Sequence, residues 1–427
     1  MKFFAKQLNF FYGYIIVVVL WFVYFFNVSI PLYGGGVLNS MMVSATGMDP
    51  AIIGYATSLC TIMQGVAGPF VGMLIQKKGI RLPFILGSVF LVIGSLLIIF
   101  STKNEISYVV FYGILIGLGM GFGGILTSQS AVNDWFNQKK AFAMALLLSA
   151  GGVGGFIAPI LLNSVTSNGS WMNGWILTAC LCTLSVILSV FFIISKPADI
   201  DDIPDGKKAS TGTSKKGPSA SLCSDANYGM PLKLVYRSSA FYGILITYVT
   251  RNALYYAITG QLIIYLVGSG VSPTAAAFSI SIFSASSLIG RFITGFISGT
   301  ILKPRTCTAG CNILMGIGML LINAMPSASA IYFCTALMGL GLGAGFVGMP
   351  LCISHFFGSN NFSIINGTIS PINYIIGASG PLLVSILATY TGSYGVAFSI
   401  LSVIAIFGGI VLLRIKQPDY RPEKNFQ

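Results

Sequence analysis

Acidic residues and histidine are scarce in this sequence. Its 427 residues include only 10 Asp and Glu and a single His, and charged residues make up 8% of the chain, against about 25% in a typical soluble domain. So few carboxylates and imidazoles offer no enzyme constellation, and we expect no catalytic residue, metal or cofactor. Cys307 and Cys311 share a predicted helix face, but no His or further Cys joins them, so we interpret them as packing residues.

Long apolar runs are abundant. Hydrophobic residues make up 55% of the chain, the mean hydropathy is +0.85, and the apolar runs do not alternate with polar residues, which indicates membrane-spanning helices. The first run is too long for a cleavable signal peptide. We predict an all-α membrane protein with twelve transmembrane helices, at residues 12–37, 51–76, 82–101, 106–132, 141–163, 173–195, 240–267, 273–300, 305–324, 329–354, 361–388 and 394–414.

The twelve predicted helices divide into two pseudo-symmetric six-helix bundles. Residues 1–195 form the first and 240–416 the second, joined by a polar linker at 196–239 that is rich in Lys, Ser, Gly, Asp and Pro, and followed by a tail at 417–427. The halves repeat: Gly117-Leu-Gly-Met-Gly-Phe-Gly123 in predicted helix 4 recurs as Gly339-Leu-Gly-Leu-Gly-Ala-Gly345 in predicted helix 10. Parallel six-helix repeats are typical of transporters that bind substrate at the interface between the repeats.

The formal net charge is +13, and its distribution predicts the orientation. With the N-terminus inside, only Lys103 among the 23 lysines and arginines falls in an outer loop, and only Arg251 and Arg291 fall within helices. The positive-inside rule therefore predicts a multi-pass protein of the cell (inner or plasma) membrane with both termini and the linker cytoplasmic. The basic residues are accounted for by the lipid bilayer and require no nucleic acid.

The two intramembrane arginines are the candidate binding residues. Arg251 lies in predicted helix 7 and Arg291 in predicted helix 8, and no Asp or Glu lies in the interior of any predicted helix. Buried charges mark functional sites because they are costly without a partner. A guanidinium binds a carboxylate through two parallel hydrogen bonds, so we interpret the missing counter-ion as an anionic substrate. The alternative is that each arginine bonds to backbone carbonyls or extends toward the cytoplasm.

Glycines in the apolar runs predict close helix packing. Formal G-x-G-x-x-G matches begin at Gly119 and Gly343, but neither follows a strand, which argues against dinucleotide binding. Gly113, Gly117 and Gly121 recur every four residues, as on the packed face of a membrane helix.

The loop after predicted helix 2 and a second copy after predicted helix 8 share a basic, glycine-containing pattern, with the residues Gly72, Lys77, Gly79, Arg81, Gly295, Lys303 and Arg305. The first copy matches the signature G-x-x-x-D-(R/K)-x-G-x-(R/K), so the loops resemble those of the major facilitator superfamily. Gln76 stands at the acidic position of the first copy, and Gly299 at that of the second. The resemblance implies the major facilitator fold, with these loops controlling a cytoplasmic gate.

Three short segments resemble the oxalate/formate antiporter and monocarboxylate porter branch of that superfamily. They are Phe11-Tyr12-Gly13-Tyr14, Trp135-Phe136 with Lys139-Lys140, and Lys196-Pro197-Ala198-Asp199. The resemblance implies that Arg291, four residues before Gly295, contacts a substrate carboxylate. Oxalate carriers have a lysine where this chain has Asn373, which argues against oxalate.

Further residues are candidates for the wall of the cavity. Tyr33 and Phe346 fall where the branch keeps aromatic pocket residues. Polar and aromatic side chains on other predicted helices complete the expected set: Gln64, Gln129, Tyr255 and Asn373. Asp134, at the cytoplasmic end of predicted helix 4, suggests a separate role. We hypothesise that it pairs with Lys77 or Arg81 to latch the closed cytoplasmic side, the alternative being a solvated interfacial carboxylate.

These observations predict a secondary transporter of a small organic anion, a mono- or dicarboxylate, working by alternating access as a monomer. Without an intramembrane acid to relay protons, anion exchange is the favoured mode, and proton-coupled monocarboxylate symport is the alternative. A same-fold carrier of neutral or cationic molecules is a further alternative. A non-transporting sensor of the same fold would need a large signalling domain, which the short linker and termini do not supply.

Overall fold

The computed structural model describes residues 11–100, 104–166, 170–200, 202–203, 205, 229–324 and 328–418. Most of the predicted linker (206–228) and of the predicted tail (419–427) lies outside these residues. Eleven helices in the described part are long and apolar enough to cross a membrane. One further 30-residue helix, Ser239–Gly268, carries Arg251 near its middle and lies outside that group of eleven. Counting it gives the twelve helices that the sequence predicts.

The first six helices, which we call the N-half, are α1 (Gly13–Thr46), α2 (Pro50–Lys78), α3 (Arg81–Phe100), α4 (Glu105–Trp135), α5 (Lys140–Thr166) and α6 (Trp171–Phe192). The last six, the C-half, are α7 (Ser239–Gly268), α8 (Pro273–Ile297), α9 (Pro304–Ala324), α10 (Ala328–Phe357), α11 (Phe362–Thr391) and α12 (Tyr394–Arg414). We call the end of the bundle where α6 stops and α7 starts the linker end.

Local sequence explains where several helices begin and end. The side chains of Asp49 and Asn104 accept hydrogen bonds from backbone N–H groups in the first turns of α2 and α4, at 2.8 and 3.0 Å. Gly79 ends α2 with a positive φ of 77°, which favours glycine. The long helices also contain irregularities that the sequence does not predict: π-helical turns at Phe25–Ser29 in α1 and Phe111–Ile116 in α4.

Glycines bring the two halves into contact at matching places in the repeat. Gly72 of α2 packs on the backbone of Ser363 in α11, and Gly295 of α8 packs on Ala141 and Ala145 of α5. Helix α8 is the counterpart of α2, and α11 is the counterpart of α5, so the two contacts are related by the internal symmetry. The predicted role of glycine in close packing is thus seen where one half meets the other.

Polar bonds between the halves cluster at the linker end. Asn133 of α4 donates to the carbonyl of Ser359 at 3.1 Å and accepts from Ser354 of α10 at 2.8 Å. Lys140 at the start of α5 donates to the Ser359 hydroxyl at 3.1 Å. Deeper in the bundle, Asn366 of α11 donates to Gln129 at 2.9 Å. The halves are therefore closed against each other at the linker end.

Candidate functional site

Arg291 reaches from the C-half toward the N-half. It lies on α8 with only 6% of its surface exposed. Its guanidinium donates to the backbone carbonyl of Leu148 in α5, while its Nε has no partner among the described residues. Bonding to a backbone carbonyl is the alternative to substrate binding that the sequence analysis gives for a buried arginine. This bond satisfies only some of the five N–H donors of the guanidinium.

Small residues of α5 make room for this side chain. A Cβ atom at Gly151 would lie 3.4 Å from Nη1 of Arg291 and 3.3 Å from the ring of Tyr24 on α1, and one at Gly152 would lie 3.5 Å from the same nitrogen. Two successive glycines therefore allow the guanidinium to approach the α5 backbone. Tyr24 lies beside this point, at the end of the first straight segment of α1.

Arg251 lies on α7 and is completely buried. Its guanidinium carbon is 5.1 Å from the ring centre of Tyr248, one helical turn earlier, and 5.0 Å from that of Phe346 on α10. Within the part of the chain that the structure describes, Nε, Nη1 and Nη2 make no well-formed hydrogen bond, and the polar group that interacts with the guanidinium is the neutral hydroxyl of Tyr248. The aromatic faces supply cation–π attraction but no counter-charge.

Phe346 joins the two arginines into one site. The guanidinium carbon of Arg291 lies 5.1 Å from the centre of the Phe346 ring, so both cations contact the same aromatic side chain. Tyr255 of α7 lies edge-on to this ring at 6.1 Å. Phe346 also packs against the main apolar clusters of both halves, which places the site at their interface.

Neither arginine has an acidic residue of its own half to balance its charge. No Asp or Glu occurs anywhere in residues 229–418, so the C-half as described cannot supply a carboxylate to either arginine. The ionisable groups that act on Arg251 are Tyr248, Cys311 and Tyr255, which are ordinarily neutral at pH 7, and the second cation, Arg291. The site is therefore a region of net positive charge inside an apolar bundle.

The other predicted lining residues are distributed around this centre. Tyr33 of α1 lies within electrostatic range of Tyr24 and Tyr255. Asn373 of α11 is buried, with an Oδ1 that accepts no hydrogen bond from the described residues. Both are compatible with a cavity wall, and neither has a hydrogen bond to an arginine in this structure.

Two other predicted lining residues have neighbours of their own. Gln64 lines a separate cavity of about 600 Å³ formed by α1, α2 and α4. Gln129 is fully buried and is engaged by Asn366 across the interface between the halves. Tyr248 and Tyr24 are the residues that sequence reasoning missed. The spacing of Tyr248, three residues before Arg251 on one helix face, was a usable signal, whereas the position of Tyr24 depends on the packing of α1 against α5.

The predicted gate residues fall into two groups. Gly72 and Gly295 lie at contacts between the halves, whereas Lys77 and Lys303 are exposed. Arg81 donates to the carbonyl of Val190 in α6.

Arg305 makes the equivalent bond in the C-half, donating at 2.6 Å to the carbonyl of Ile415 after α12. These two arginines thus bind carbonyl groups at helix C-termini within their own halves, where the helix dipole favours a cation. Gln76, at the acidic signature position, does cross between the halves and donates to Asn361 at 3.3 Å.

Asp134 has different neighbours from those that the sequence suggested. Its carboxylate accepts from Asn133 at 3.3 Å, and the cations that act on it are Lys196 and Lys140. Arg81, one of its two predicted partners, instead binds Val190. In this conformation, Asp134 is therefore next to the Asn133, Lys140 and Ser359 network rather than to the loop after α2.

Comparison with known proteins identifies the fold and family. The model of the Major Facilitator Superfamily matches residues 10–380. Monocarboxylate transporter 13 of Rattus norvegicus is 23% identical over 384 residues, covering 89% of this chain and 83% of the relative.

Among solved structures, the human organic anion transporter MFSD10 superposes with a TM-score of 0.70 at 13% identity, covering 94% of this chain and 99% of that one. The Escherichia coli fucose:proton symporter FucP superposes with a TM-score of 0.70 at 15% identity, covering 95% and 100%. The match to the family model over most of the chain and the shared twelve-helix architecture lead to one conclusion: this chain belongs to the Major Facilitator Superfamily of membrane transporters.

Proposed function

We propose that the protein transports a small organic anion, a mono- or dicarboxylate, by alternating access and as an anion exchanger. The observation that carries this proposal is the pair of buried arginines on one aromatic ring in a half that has no acidic residue. A carboxylate would supply the missing charge and accept paired hydrogen bonds from a guanidinium. The names of the relatives, a monocarboxylate transporter and an organic anion transporter, agree with this chemistry.

Exchange follows from the energetics of the empty site. Moving the carrier between its two open states with an uncompensated intramembrane cation is costly, whereas a bound anion removes the net charge. Return with a second anion therefore avoids the expensive empty transition. In the structure, Arg291 partly offsets its own charge by binding the Leu148 carbonyl of the opposite half. We infer that substrate competes with this carbonyl for the guanidinium.

The conformation fits one state of such a cycle. The halves are closed at the linker end, and the distribution of Lys and Arg favours the cytoplasmic side for this end. On this orientation the proposed cytoplasmic gate is shut, and Gly72 and Gly295 are among the contacts that would separate when it opens.

Counterflow in proteoliposomes tests the proposal. Vesicles loaded with an unlabelled carboxylate that the protein transports should accumulate the same carboxylate in labelled form. Formate, acetate, lactate and oxalate form the panel that is screened, and neutral sugars should not compete. Arg291→Ala should abolish counterflow, and Arg291→Lys should restore a part of it because charge returns without the bidentate geometry. Undiminished exchange by Arg291→Ala, or competition by sugars alone, would contradict the proposal.

A pH measurement separates exchange from proton-coupled monocarboxylate symport, in which the proton travels with the substrate. Exchange of like anions should leave the pH inside the vesicles unchanged. Acidification that accompanies net uptake into empty vesicles would favour symport.

A further inference from the structure

A single carboxylate bound at Arg291 would leave the guanidinium of Arg251 without an anionic partner. This guanidinium is fully buried, and none of its three nitrogen atoms makes a well-formed hydrogen bond in the described structure, although the neutral Tyr248 hydroxyl interacts with it. In contrast, Arg291 has a carbonyl partner in α5. A buried cation with five N–H donors and no charged partner represents an unmet demand for an anionic acceptor.

The protein provides no anion for Arg251. Its own half, residues 229–418, contains neither Asp nor Glu. Tyr248 and Phe346 cover the guanidinium with aromatic rings, which attract a cation without neutralising it. A buried charge that lacks a counter-ion is strongly destabilising, so the missing partner must come from solution.

The backbone around Arg251 favours its position beside the shared ring. A Cβ atom at Gly345 would lie 2.8 Å from Cδ of Arg251, too close for any side chain other than glycine without displacement. The adjacent residue, Phe346, has Arg251 at 5.0 Å and Arg291 at 5.1 Å from its ring centre. One glycine and one phenylalanine on α10 thus set the relation between the two cations.

We propose that the transported anion is a small dicarboxylate, with one carboxylate bound by Arg291, the other by Arg251, and the carbon chain lying along Phe346. This inference rests on the proposed function and narrows its substrate class. The two guanidinium carbons lie 5.0 and 5.1 Å from the same ring centre, so their separation is bounded to a span that a short dicarboxylate can bridge. The apolar ring between them suits the methylene groups that separate two carboxylates. A monocarboxylate would neutralise one arginine and leave the other buried with its charge exposed.

Competition by anions of matched chain length tests this inference. In counterflow with purified protein, succinate should compete at least about tenfold more effectively than butyrate, since each has four carbons and they differ by one carboxylate. Across dicarboxylates from two to six carbons, affinity should pass through a single maximum, because the span between the guanidinium groups is fixed. Equal competition by succinate and butyrate would overturn the inference while leaving carboxylate transport intact.

Arg251→Gln supplies the second arm. It should raise the KM for dicarboxylates at least about tenfold and remove the preference over monocarboxylates, and Arg251→Lys should retain a part of that preference. If Arg251→Gln instead lowers competition by succinate and butyrate equally, Arg251 does not bind the second carboxylate. If chloride restores monocarboxylate transport to the dicarboxylate level in the wild type, the second anion is an inorganic ion and the inference fails. If the wild type transports no carboxylate, the proposed function fails with it.

Thermal unfolding of the ligand-free protein in detergent separates binding from misfolding. Removing an uncompensated buried charge should leave the Tm of Arg251→Gln equal to or above that of the wild type, while the rise in Tm on adding succinate should disappear. Arg414→Gln, an exposed arginine at the end of α12, is the matched control and should keep both the Tm and its response to succinate. A large fall in Tm for Arg251→Gln without ligand would show that Arg251 is satisfied by the protein and would overturn the inference.

Discussion

The ring centre of Phe346 lies 5.1 Å from the guanidinium carbon of Arg291, although the two residues are on different helices, α10 and α8. The same ring lies 5.0 Å from Arg251 on α7. Three helices of the C-half therefore meet at one aromatic side chain, which also contacts the apolar core of the N-half. Displacement of Phe346 during transport would change the surroundings of both cations together.

Phe346→Leu should weaken anion binding without abolishing it. Leucine keeps apolar volume but removes the ring face that both arginines share, and a cation–π contact at a desolvated site contributes about 1–2 kcal/mol. The KM for the transported anion should rise roughly fivefold to thirtyfold, and Phe346→Tyr should remain near the wild type. Phe333→Leu, an exposed phenylalanine of the same helix, is the control. An unchanged KM in counterflow assays of Phe346→Leu would show that the ring does not position the arginines.

Gly72→Ala should disfavour the conformation that is closed at the linker end. A Cβ atom there would overlap the carbonyl of Ser363 in α11, and backbone atoms cannot move aside as a flexible side chain can. We expect slower turnover and a larger distance between spin labels on Lys78 and Arg414, one in each half. Gly310→Ala is the control, because nothing lies within 4 Å of its Cβ position. Identical label distances in the two variants would contradict this role of Gly72.

The hydrogen bond between Asn366 and Gln129 should stabilise the same closed state. It joins two buried residues across the halves at 2.9 Å. Asn366→Ala leaves the Gln129 amide oxygen buried without its donor, at a cost of about 1–3 kcal/mol. The double variant Asn366→Ala/Gln129→Leu should lose less stability than the two single variants together. A double-mutant cycle on transport rate and Tm measures this coupling, and strict additivity would show that the bond contributes nothing.

The sequence was sufficient to predict the architecture because the membrane restricts the choices. Helices are the only way to satisfy the backbone within long apolar runs, so the twelve spans and the repeat were accessible from hydropathy and glycine spacing. The ends of the helices were harder to predict. The run 12–37 continues to Thr46 in α1, and α11, predicted as one helix, divides at Ser379 into Phe362–Ala378 and Gly380–Thr391. The division falls next to Gly380-Pro381, where the sequence predicts local bending because proline has no backbone N–H with which to continue the helix.

The candidate site was partly predictable for a similar reason. A buried arginine is conspicuous in an apolar run, so Arg251 and Arg291 could be selected from the sequence alone. Their convergence on Phe346 could not, since three helices separated along the chain must first pack together. The surroundings of Gln64 could not be predicted from the sequence either. An amide on an apolar helix suggested the same cavity, but α2 directs it toward α1 and α4, where its Nε2 lies 3.7 Å from the sulfur atoms of Cys60 and Met120.

Asp134→Asn should slow turnover by loosening the closed linker end. The carboxylate acts on Lys140, whose Nζ donates to Asn133 at 2.9 Å and to Ser359 of the C-half at 3.1 Å. We therefore expect Asp134 to hold the lysine in position for this contact between the halves, which replaces the pairing with Lys77 or Arg81 as the basis of the latch. Charge interactions near the surface contribute about 0.2–1 kcal/mol, and Asp134 acts on Lys140 through such an interaction, so the rate should fall by roughly twofold to fivefold.

Two comparisons make the Asp134 experiment decisive. Glu105→Gln removes a carboxylate from the exposed first turn of the same helix, at the opposite end of the bundle, and should leave the rate unchanged. Lys140→Gln should slow transport as Asp134→Asn does, and the double variant should be no slower than Lys140→Gln alone, because the carboxylate acts through the lysine. The measurement is the initial rate of counterflow at saturating substrate. A wild-type rate in Asp134→Asn, or additive losses in the double variant, would mean that Asp134 is a solvated interfacial carboxylate with no part in the latch.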